Sequence, residues 1–161
     1  MTSQIESLKS LSPILVGVSG EYFVAAELSR RGHVASVTLR NTRGMDVIAT
    51  NEDASVSVGI QVKTNRTSKK DWMLNEKCET YHSKNLFYVF VNLVGLTERP
   101  CFHVVPSQIV AERITKSHKL WLSSPVKEGR TRKDTSIRHF KDPDNAYLER
   151  WDLLGLDKAA I

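Results

Sequence analysis

Apolar residues recur along the first part of the chain at the spacing of an α-helix. Between positions 13 and 31 they form one stripe: Ile14, Val18, Phe23, Val24 and Leu28. Pro13 favours the first helical turn, and Gly32 favours the end of the helix. Because two glycines weaken the early turns, we expect the helix to begin or bend near Ser19. Glu21 would then lie in a first turn, where the helix dipole favours a carboxylate.

Later segments alternate apolar and polar residues or are apolar throughout, which predicts β-strands. The predicted strands cover 34–39, 45–50, 55–64, 86–94 and 101–105. The segment 86–94 is almost wholly apolar, as is typical of a central strand that is buried on both faces. Further helices are expected at 106–114 and 142–154, and loops at 71–81 and 123–135, the second of which is rich in basic residues.

These elements predict a single α/β domain over 1–161, with helices packed on a mixed central sheet. The core is expected at about 14–114 and a C-terminal helical extension at about 136–155. The N-terminus has no long apolar run, and the apolar stretch 11–18 is too short to span a bilayer. We therefore expect a cytoplasmic protein without a membrane anchor.

The net charge and the cysteines indicate which kinds of partner and which cellular environment suit the chain. Lys and Arg number 23 against 18 Asp and Glu, which gives a net charge of +5 and suits a polyanionic partner. Cys78 and Cys101 lie outside any CxxC motif, and no histidine stands at zinc spacing from them. We interpret them as two reduced thiols, as expected in the cytosol.

The polar residues of the predicted third strand are candidates for a functional site. Gln61 and Lys63 alternate with apolar residues, so both side chains project from one face of that strand. Asp46 opens the strand before it. Polar groups on strands this apolar need partners, because burying them unpaired is costly. A site for a metal ion and a phosphate would supply those partners.

Hydrolysis of a phosphodiester requires an activated water and stabilisation of charge on phosphorus, both of which a divalent cation supplies. Mg²⁺ prefers hard oxygen ligands. The candidates are the Asp46 carboxylate, the Gln61 carboxamide oxygen and the Val62 backbone carbonyl. Lys63 offers a compact ammonium to orient water or neutralise developing charge. Glu21 is a candidate for contact with the same site through water or a second metal.

Asp46 followed by Gln61-Val62-Lys63 resembles the motif of the PD-(D/E)xK nuclease superfamily. The resemblance covers 19–64 by motif and 86–114 by element order. It implies a restriction-endonuclease-like core of αβββαβ type, with Asp46 and Gln61 as metal ligands, Lys63 as the catalytic lysine and Glu21 as an accessory acid. Restriction and Holliday-junction-resolving nucleases share this core, so the resemblance does not choose a substrate.

Two positions depart from the motif. Met45 stands where the motif has proline, and Gln61 stands where it has an acid. Gln-x-Lys versions resemble Mrr-type restriction nucleases. A neutral ligand weakens cation binding, since a unit-charge pair at about 4 Å is worth about 4 kcal/mol before desolvation at an effective dielectric constant of about 20. Millimolar metal is therefore expected.

Basic and polar residues flank the motif and are predicted to contact phosphates of the nucleic acid. They are Arg43, Thr64, Asn65, Arg66, Lys69 and Lys70. The expected partner is DNA, with RNA left open as an alternative. A homodimer would place two sites on the two strands of a duplex. The same residues also suit a solvated basic loop.

Each candidate residue has a purely structural interpretation as well. Asp46 suits the cap of the turn before it, Gln61 and Lys63 suit the solvent face of an edge strand, and Glu21 suits a helix-dipole partner. Their conjunction favours a metal-dependent DNA endonuclease that uses Mg²⁺, with Mn²⁺ as a substitute. The alternatives are a catalytically inactive nucleic-acid-binding module on the same fold, and a structural or protein-partner role.

Overall fold

The computed structural model describes residues 8, 10–39, 44–67, 69–126 and 132–157. Its helices and strands, in chain order, are α1 (Pro13–Arg30), β1 (Val34–Val37), β2 (Val47–Thr50), β3 (Ser57–Asn65), β4 (Asp71–Asn75), β5 (Leu86–Asn92), β6 (Cys101–Pro106), α2 (Ser107–Ser123) and β7 (Ile137–Lys141). Two 3-10 helices, Glu76–Glu79 and Trp151–Leu154, follow β4 and β7. Among these residues no helix has the length and apolarity that a membrane crossing requires.

The central sheet has five strands in the order β1-β2-β3-β5-β6. The strands β1, β2 and β3 form an antiparallel meander, β3 pairs with β5 in parallel, and β5 pairs with β6 antiparallel. The predicted α/β class with a mixed sheet flanked by helices is therefore confirmed. The connection from β3 to β5 runs through β4 and a 3-10 helix, where an αβββαβ pattern has an α-helix.

Apolar clusters cover the two faces of this sheet. On one face, Val24 and Leu28 of α1 belong to the same buried cluster as Ile60 of β3 and Val89 of β5. On the other face, aromatic residues of β5 belong to a second cluster under α2 and the β4–β7 pair, and its largest members are Trp72, Tyr88, Phe90 and Phe140. All seven residues of β5 are buried, as predicted for a central strand.

Helix α1 begins earlier than the sequence suggests. The Ser12 hydroxyl accepts a hydrogen bond from the Leu15 backbone N–H at 3.2 Å, and Pro13 occupies the first turn. The prediction that the helix begins or bends at Ser19 is wrong, because an N-cap with a proline after it starts the helix at position 13. Glu21 consequently lies in the middle of α1 and not in its first turn.

The buried side of α1 also differs from the predicted stripe. Ile14 and Phe23 are 63% and 43% exposed, whereas Gly20 and Glu27 are buried. Glu27 is held by arginines, which makes its burial tolerable. The end of the helix is as predicted, since Gly32 adopts a φ of 88°, a conformation that glycine accepts without strain.

A second sheet of two strands, β4 and β7, was not predicted. The segment 71–81, expected as a loop, contains β4 and a 3-10 helix, and 136–155, expected as helical, contains β7, turns and a 3-10 helix. The apparent helix start at Asp142 is a turn, because its carboxylate accepts hydrogen bonds from the ring of His103 at 2.7 Å and from the Ala146 backbone N–H at 3.0 Å. Helix α2 runs on to Ser123, beyond the predicted end at Ile114.

Candidate active site

The antiparallel pairing of β2 with β3 brings Asp46 and Gln61 together. The register ends with Val47 opposite Ile60. The Asp46 backbone N–H also donates to the Ile60 carbonyl at 2.8 Å, so Asp46 and Val47 both face Ile60, as in a β-bulge. Asp46 is therefore next to Gln61, and both residues are half-buried.

The Asp46 carboxylate is held in place by a backbone N–H group of β3. Its Oδ2 accepts a hydrogen bond from the Val62 backbone N–H at 2.7 Å. Thr38 fixes the backbone on the other side, because its N–H donates to the Asp46 carbonyl at 2.9 Å. A carboxylate has several acceptor positions, so one amide bond leaves capacity for a cation.

The same bond fixes the direction of the Val62 carbonyl. In a strand the N–H and C=O of one residue point to the same side. Since the Val62 N–H points to the Asp46 carboxylate, its carbonyl also points toward β2, beyond the last pair of that ladder, Val47 with Ile60. The Asp46 carboxylate and the Val62 carbonyl therefore lie together at the start of β2.

Gln61 carries a buried polar atom that lacks a partner. Its Oε1 is one of four buried side-chain atoms of the described residues without a hydrogen bond, the others being Thr64 Oγ1, the Tyr88 hydroxyl and Asn92 Oδ1. An unsatisfied buried acceptor costs about 1–3 kcal/mol. This cost disappears when a cation or a donor binds to Oε1.

Lys63 lies on the same face of β3 as Gln61, two residues further along, and is half-buried. In the parallel register it pairs with Phe90 of β5. Phe90 belongs to the second apolar cluster, so Lys63 lies beside that cluster. Lys63 and Gln61 share the face predicted from their spacing.

Glu21 takes a different position from the other three candidates. It is half-buried on α1, which packs on the face of β3 that carries Ile60 and Val62 and not on the face of Gln61. Its neighbour Gly20 contacts Thr64, because a Cβ at position 20 would stand 1.8 Å from the Thr64 Oγ1. The helix thus approaches β3 one residue after Lys63, and the accessory-acid role of Glu21 stays a prediction.

Two residues predicted to contact nucleic acid shape the loop after β3. The Asn65 side-chain amide donates to the Lys69 carbonyl at 2.9 Å and to the Asp71 carbonyl at 3.1 Å. Arg66 donates from its guanidinium to the Leu11 carbonyl. These bonds explain both residues structurally, so their predicted phosphate contacts are a further role that stays a prediction.

The other residues predicted to contact phosphates differ in whether their side chains already contact other groups of the protein. The Lys70 ammonium donates to the Pro143 carbonyl at 3.2 Å, whereas Lys69 is exposed. Thr64 packs against Gly20. Arg43 lies outside the described residues. Lys69 is therefore the candidate on this loop whose side chain is best placed to meet a phosphate.

Two tyrosines near Asp46 escaped the sequence analysis. Tyr88 is fully buried and pairs with Gln61 in the parallel β3–β5 register. Burial, followed by the neighbouring Cys78 thiol, raises the pKa of Tyr88 well above its ordinary value, and the charge of Asp46 adds to the shift. The ring of Tyr81 lies over Gly44, where a Cβ would come within 2.3 Å of the ring.

No protein-family model matches the chain, and no curated protein matches it. Solved structures similar to the chain include two enzymes. One is a bacterial homing endonuclease, with a TM-score of 0.49, 16% identity, and coverage of 89% of this chain and 92% of the other. The second is Hjc, a Holliday junction resolvase from the archaeal hyperthermophile Archaeoglobus fulgidus, with a TM-score of 0.49, 14% identity, and coverage of 86% and 95%. Both likenesses concern the course of the backbone.

The donor set suits a hard divalent cation. Mg²⁺ is bound in many proteins by one or two carboxylates together with water and substrate oxygens. Asp46 supplies the carboxylate, and the unpartnered Gln61 oxygen supplies a neutral ligand. No group of three or more His, Cys, Asp or Glu side chains suited to a metal occurs among the described residues.

Proposed function

We propose that this protein is a metal-dependent endonuclease that hydrolyses phosphodiester bonds of DNA. One observation supports the proposal above all others. The Asp46 carboxylate accepts from the backbone N–H of Val62, the residue after Gln61, and the Gln61 Oε1 is buried without a partner among the described residues. A buried acceptor beside a carboxylate is costly in an inert sheet but useful in a cation site.

Asp46, Gln61 and the Val62 carbonyl are the groups that would hold Mg²⁺ or Mn²⁺. When bound, the cation supplies an activated water and stabilises negative charge on the phosphoryl oxygens. The Val62 N–H keeps the Asp46 carboxylate fixed at 2.7 Å, so little reorganisation is needed before substrate arrives. Because Gln61 is neutral, millimolar cation is expected for full activity.

Lys63 contributes a positive charge next to the proposed cation ligands. In the proposed reaction a water oxygen attacks phosphorus, one P–O ester bond breaks, and the leaving oxygen ends as a hydroxyl after taking up a proton. The ammonium of Lys63 hydrogen-bonds the attacking water or a phosphoryl oxygen while charge develops there. It lies on the same face as Gln61, which supports this role.

Charge supports nucleic acid as the substrate. The chain carries a net charge of +5, and Lys69 and Lys70 follow the site by a few residues. Phosphate contacts of this kind position a duplex without selecting its sequence. A homodimer would present two sites to the two strands.

A non-catalytic nucleic-acid-binding module is the second candidate. The observation that favours it is the donor set itself, which has one carboxylate and a neutral amide in place of a second acid. Such a protein would bind DNA in a salt-sensitive way without turnover. Binding that is unchanged by reversing the charge of Lys69 and Lys70 would contradict a binding mode through this loop.

The deciding experiment incubates supercoiled plasmid with the protein in EDTA, Mg²⁺ or Mn²⁺. We expect nicking with either cation and none in EDTA. Asp46→Asn and Lys63→Ala should abolish nicking, whereas Asp144→Asn and Lys77→Ala, exposed residues outside the site, should not. Equal cleavage by all variants contradicts the proposed site. Binding without cleavage in every metal favours the second candidate.

A further inference from the structure

The candidate site continues across a third strand. The Asp46 carboxylate bonds the backbone N–H of Val62, next to Gln61, and Gln61 stands beside Tyr88 by the parallel register. Asp46, Gln61 and Tyr88 thus form one row from the start of β2 across β3 to β5, with neighbouring strands about 4.8 Å apart. Tyr88 is the member of this row that the motif does not include.

Two neighbours in this row have unpartnered buried atoms. They are Gln61 Oε1 and the Tyr88 hydroxyl, and Tyr88 is 0% exposed. The Cys78 thiol adjoins the hydroxyl but is a weak hydrogen-bonding group. Neither atom is satisfied by another protein group of the described residues, and buried polar atoms of this kind are satisfied by a bound water or ligand between them.

A glutamine ligand has an orientation problem that an acidic ligand does not have. The carboxamide offers an oxygen at one end and an NH₂ group at the other, and a half-turn about χ3 exchanges them. A cation binds the oxygen and is repelled by the NH₂ group. A carboxylate presents oxygen in both orientations. A site that uses Gln61 therefore gains from a neighbour that distinguishes the two ends.

We infer that Tyr88 is that neighbour, a positioning residue whose hydroxyl holds the Gln61 carboxamide with its oxygen toward the cation. The inference rests on the proposed function of the same site. A phenol hydroxyl accepts a hydrogen bond from an amide NH₂ group, and this bond leaves the unpartnered Gln61 Oε1 for the cation. On its other side Tyr88 pairs with Val105 of β6. Val105 is apolar and cannot form a hydrogen bond that positions the Gln61 carboxamide.

The test is a double-mutant cycle on cation affinity. Mn²⁺ binding to the full chain is measured by the loss of the electron paramagnetic resonance signal of free Mn²⁺, which does not depend on cleavage. Tyr88→Phe removes only the hydroxyl, and we expect it to weaken Mn²⁺ binding about 2- to 10-fold, the range of one hydrogen bond. Tyr147→Phe, a tyrosine outside the row, is the matched control and should leave the affinity unchanged.

The second half of the cycle repeats the measurement with Gln61→Glu. A glutamate has no orientation to fix, so Tyr88→Phe should lose most of its effect on Mn²⁺ affinity in that background. An equal loss of affinity in both backgrounds would show that the hydroxyl acts only through general structure and would overturn the inference. Unchanged affinity after Tyr88→Phe alone would overturn it as well.

Failure of the proposed function looks different from failure of this inference. If the wild-type protein neither binds Mn²⁺ nor cleaves DNA, the proposed function is wrong and the role of Tyr88 falls with it. If the wild type binds and cleaves while Tyr88→Phe behaves identically, only the role of Tyr88 is wrong. Thermal unfolding of each variant separates folding from binding, because removal of an unpartnered buried hydroxyl should leave the melting temperature equal or higher.

Discussion

Gly20 of α1 and Thr64 of β3 are in such close contact that a Cβ at position 20 would stand 1.8 Å from the threonine Oγ1 and 3.0 Å from its Cβ. This contact sets the distance between the helix and the strand that carries Gln61 and Lys63. Any side chain at position 20 must displace β3 or the helix.

Gly20→Ala should therefore destabilise the fold by about 1–3 kcal/mol, the usual cost of overpacking a core. Urea denaturation measures the change. Gly17→Ala on the same helix is the control, because a Cβ there meets nothing within 4 Å, and alanine should stabilise the helix by about 0.5–1 kcal/mol. If Gly20→Ala also stabilises, the close approach of α1 to β3 is wrong. Adding Thr64→Ala to Gly20→Ala should recover part of the loss.

Gln61→Glu should lower the Mg²⁺ concentration needed for half-maximal cleavage by roughly 10- to 100-fold, because it adds a negative charge next to Asp46. Without metal the same variant should lose about 1 kcal/mol of stability, since the new carboxylate lies close to that of Asp46 and the two negative charges repel each other. Cleavage is titrated with Mg²⁺, and unfolding is measured in EDTA. An unchanged metal requirement would show that position 61 is not a ligand.

Acid should unfold the protein partly through Glu27. Its Oε1 lies 2.7 Å from Arg30 and 2.9 Å from Arg99, and its side chain is 7% exposed. Burial raises its pKa, but the hydrogen bonds and charges of the two arginines outweigh burial and leave the pKa of Glu27 below its ordinary 4.5. A lowered pKa means that the stabilisation is complete above the ordinary pKa and is lost as pH falls through the lowered one.

Glu27→Gln should accordingly show a shallower loss of stability between about pH 5 and pH 2 than the wild type. At neutral pH it should be less stable by about 1 kcal/mol, a small value because the arginines are partly exposed. Unfolding in denaturant at several pH values measures both effects. Parallel curves for the two proteins would show that the ion pairs of Glu27 do not contribute to acid unfolding.

The buried pair of His103 and Asp142 should stabilise the C-terminal segment. Both side chains are 1% exposed, their Nδ1 and Oδ2 atoms are 2.7 Å apart, and Asp142 also accepts from the Ala146 and Tyr147 backbone N–H groups at 3.0 Å. Asp142→Ala removes all three bonds and should cost about 3–5 kcal/mol, as expected when one partner of a buried pair is removed. Asp144→Ala, exposed in the same turn, should change stability by less than about 0.5 kcal/mol.

The strands that carry the candidate site could be predicted because their apolar pattern is local. Asp46, Gln61 and Lys63 fall on neighbouring strands of a hairpin, and short hairpins follow from alternation and turn residues. Tyr88 could not be found this way. Its position depends on the parallel pairing of β5 with β3, which is a long-range contact that no local pattern encodes.

Strand β7 and the turn at Asp142 were not predicted, because their local sequences are not typical of the structures that they form. Strand β7 buries Arg138 as well as Phe140, and a buried arginine breaks the apolar alternation that identifies strands. Arg138 is tolerated there because its guanidinium bonds Glu79 and the Thr135 carbonyl. Asp142 before Pro143 has the sequence of a helix start. The structure instead uses the Asp142 carboxylate to bond His103, a partner distant in sequence.

The pairing of β4 with β7 has a consequence for the order in which the protein matures on the ribosome. Strand β4 follows Lys63 by a few residues, but its partner β7 comes much later in the chain, after β5, β6 and α2. Until β7 emerges, Trp72 and Phe90 lack the cover of Phe140, whose ring stacks on Phe90 at 4.4 Å. The nascent chain therefore exposes an aromatic surface until β7 has been synthesised, a state that favours chaperone binding.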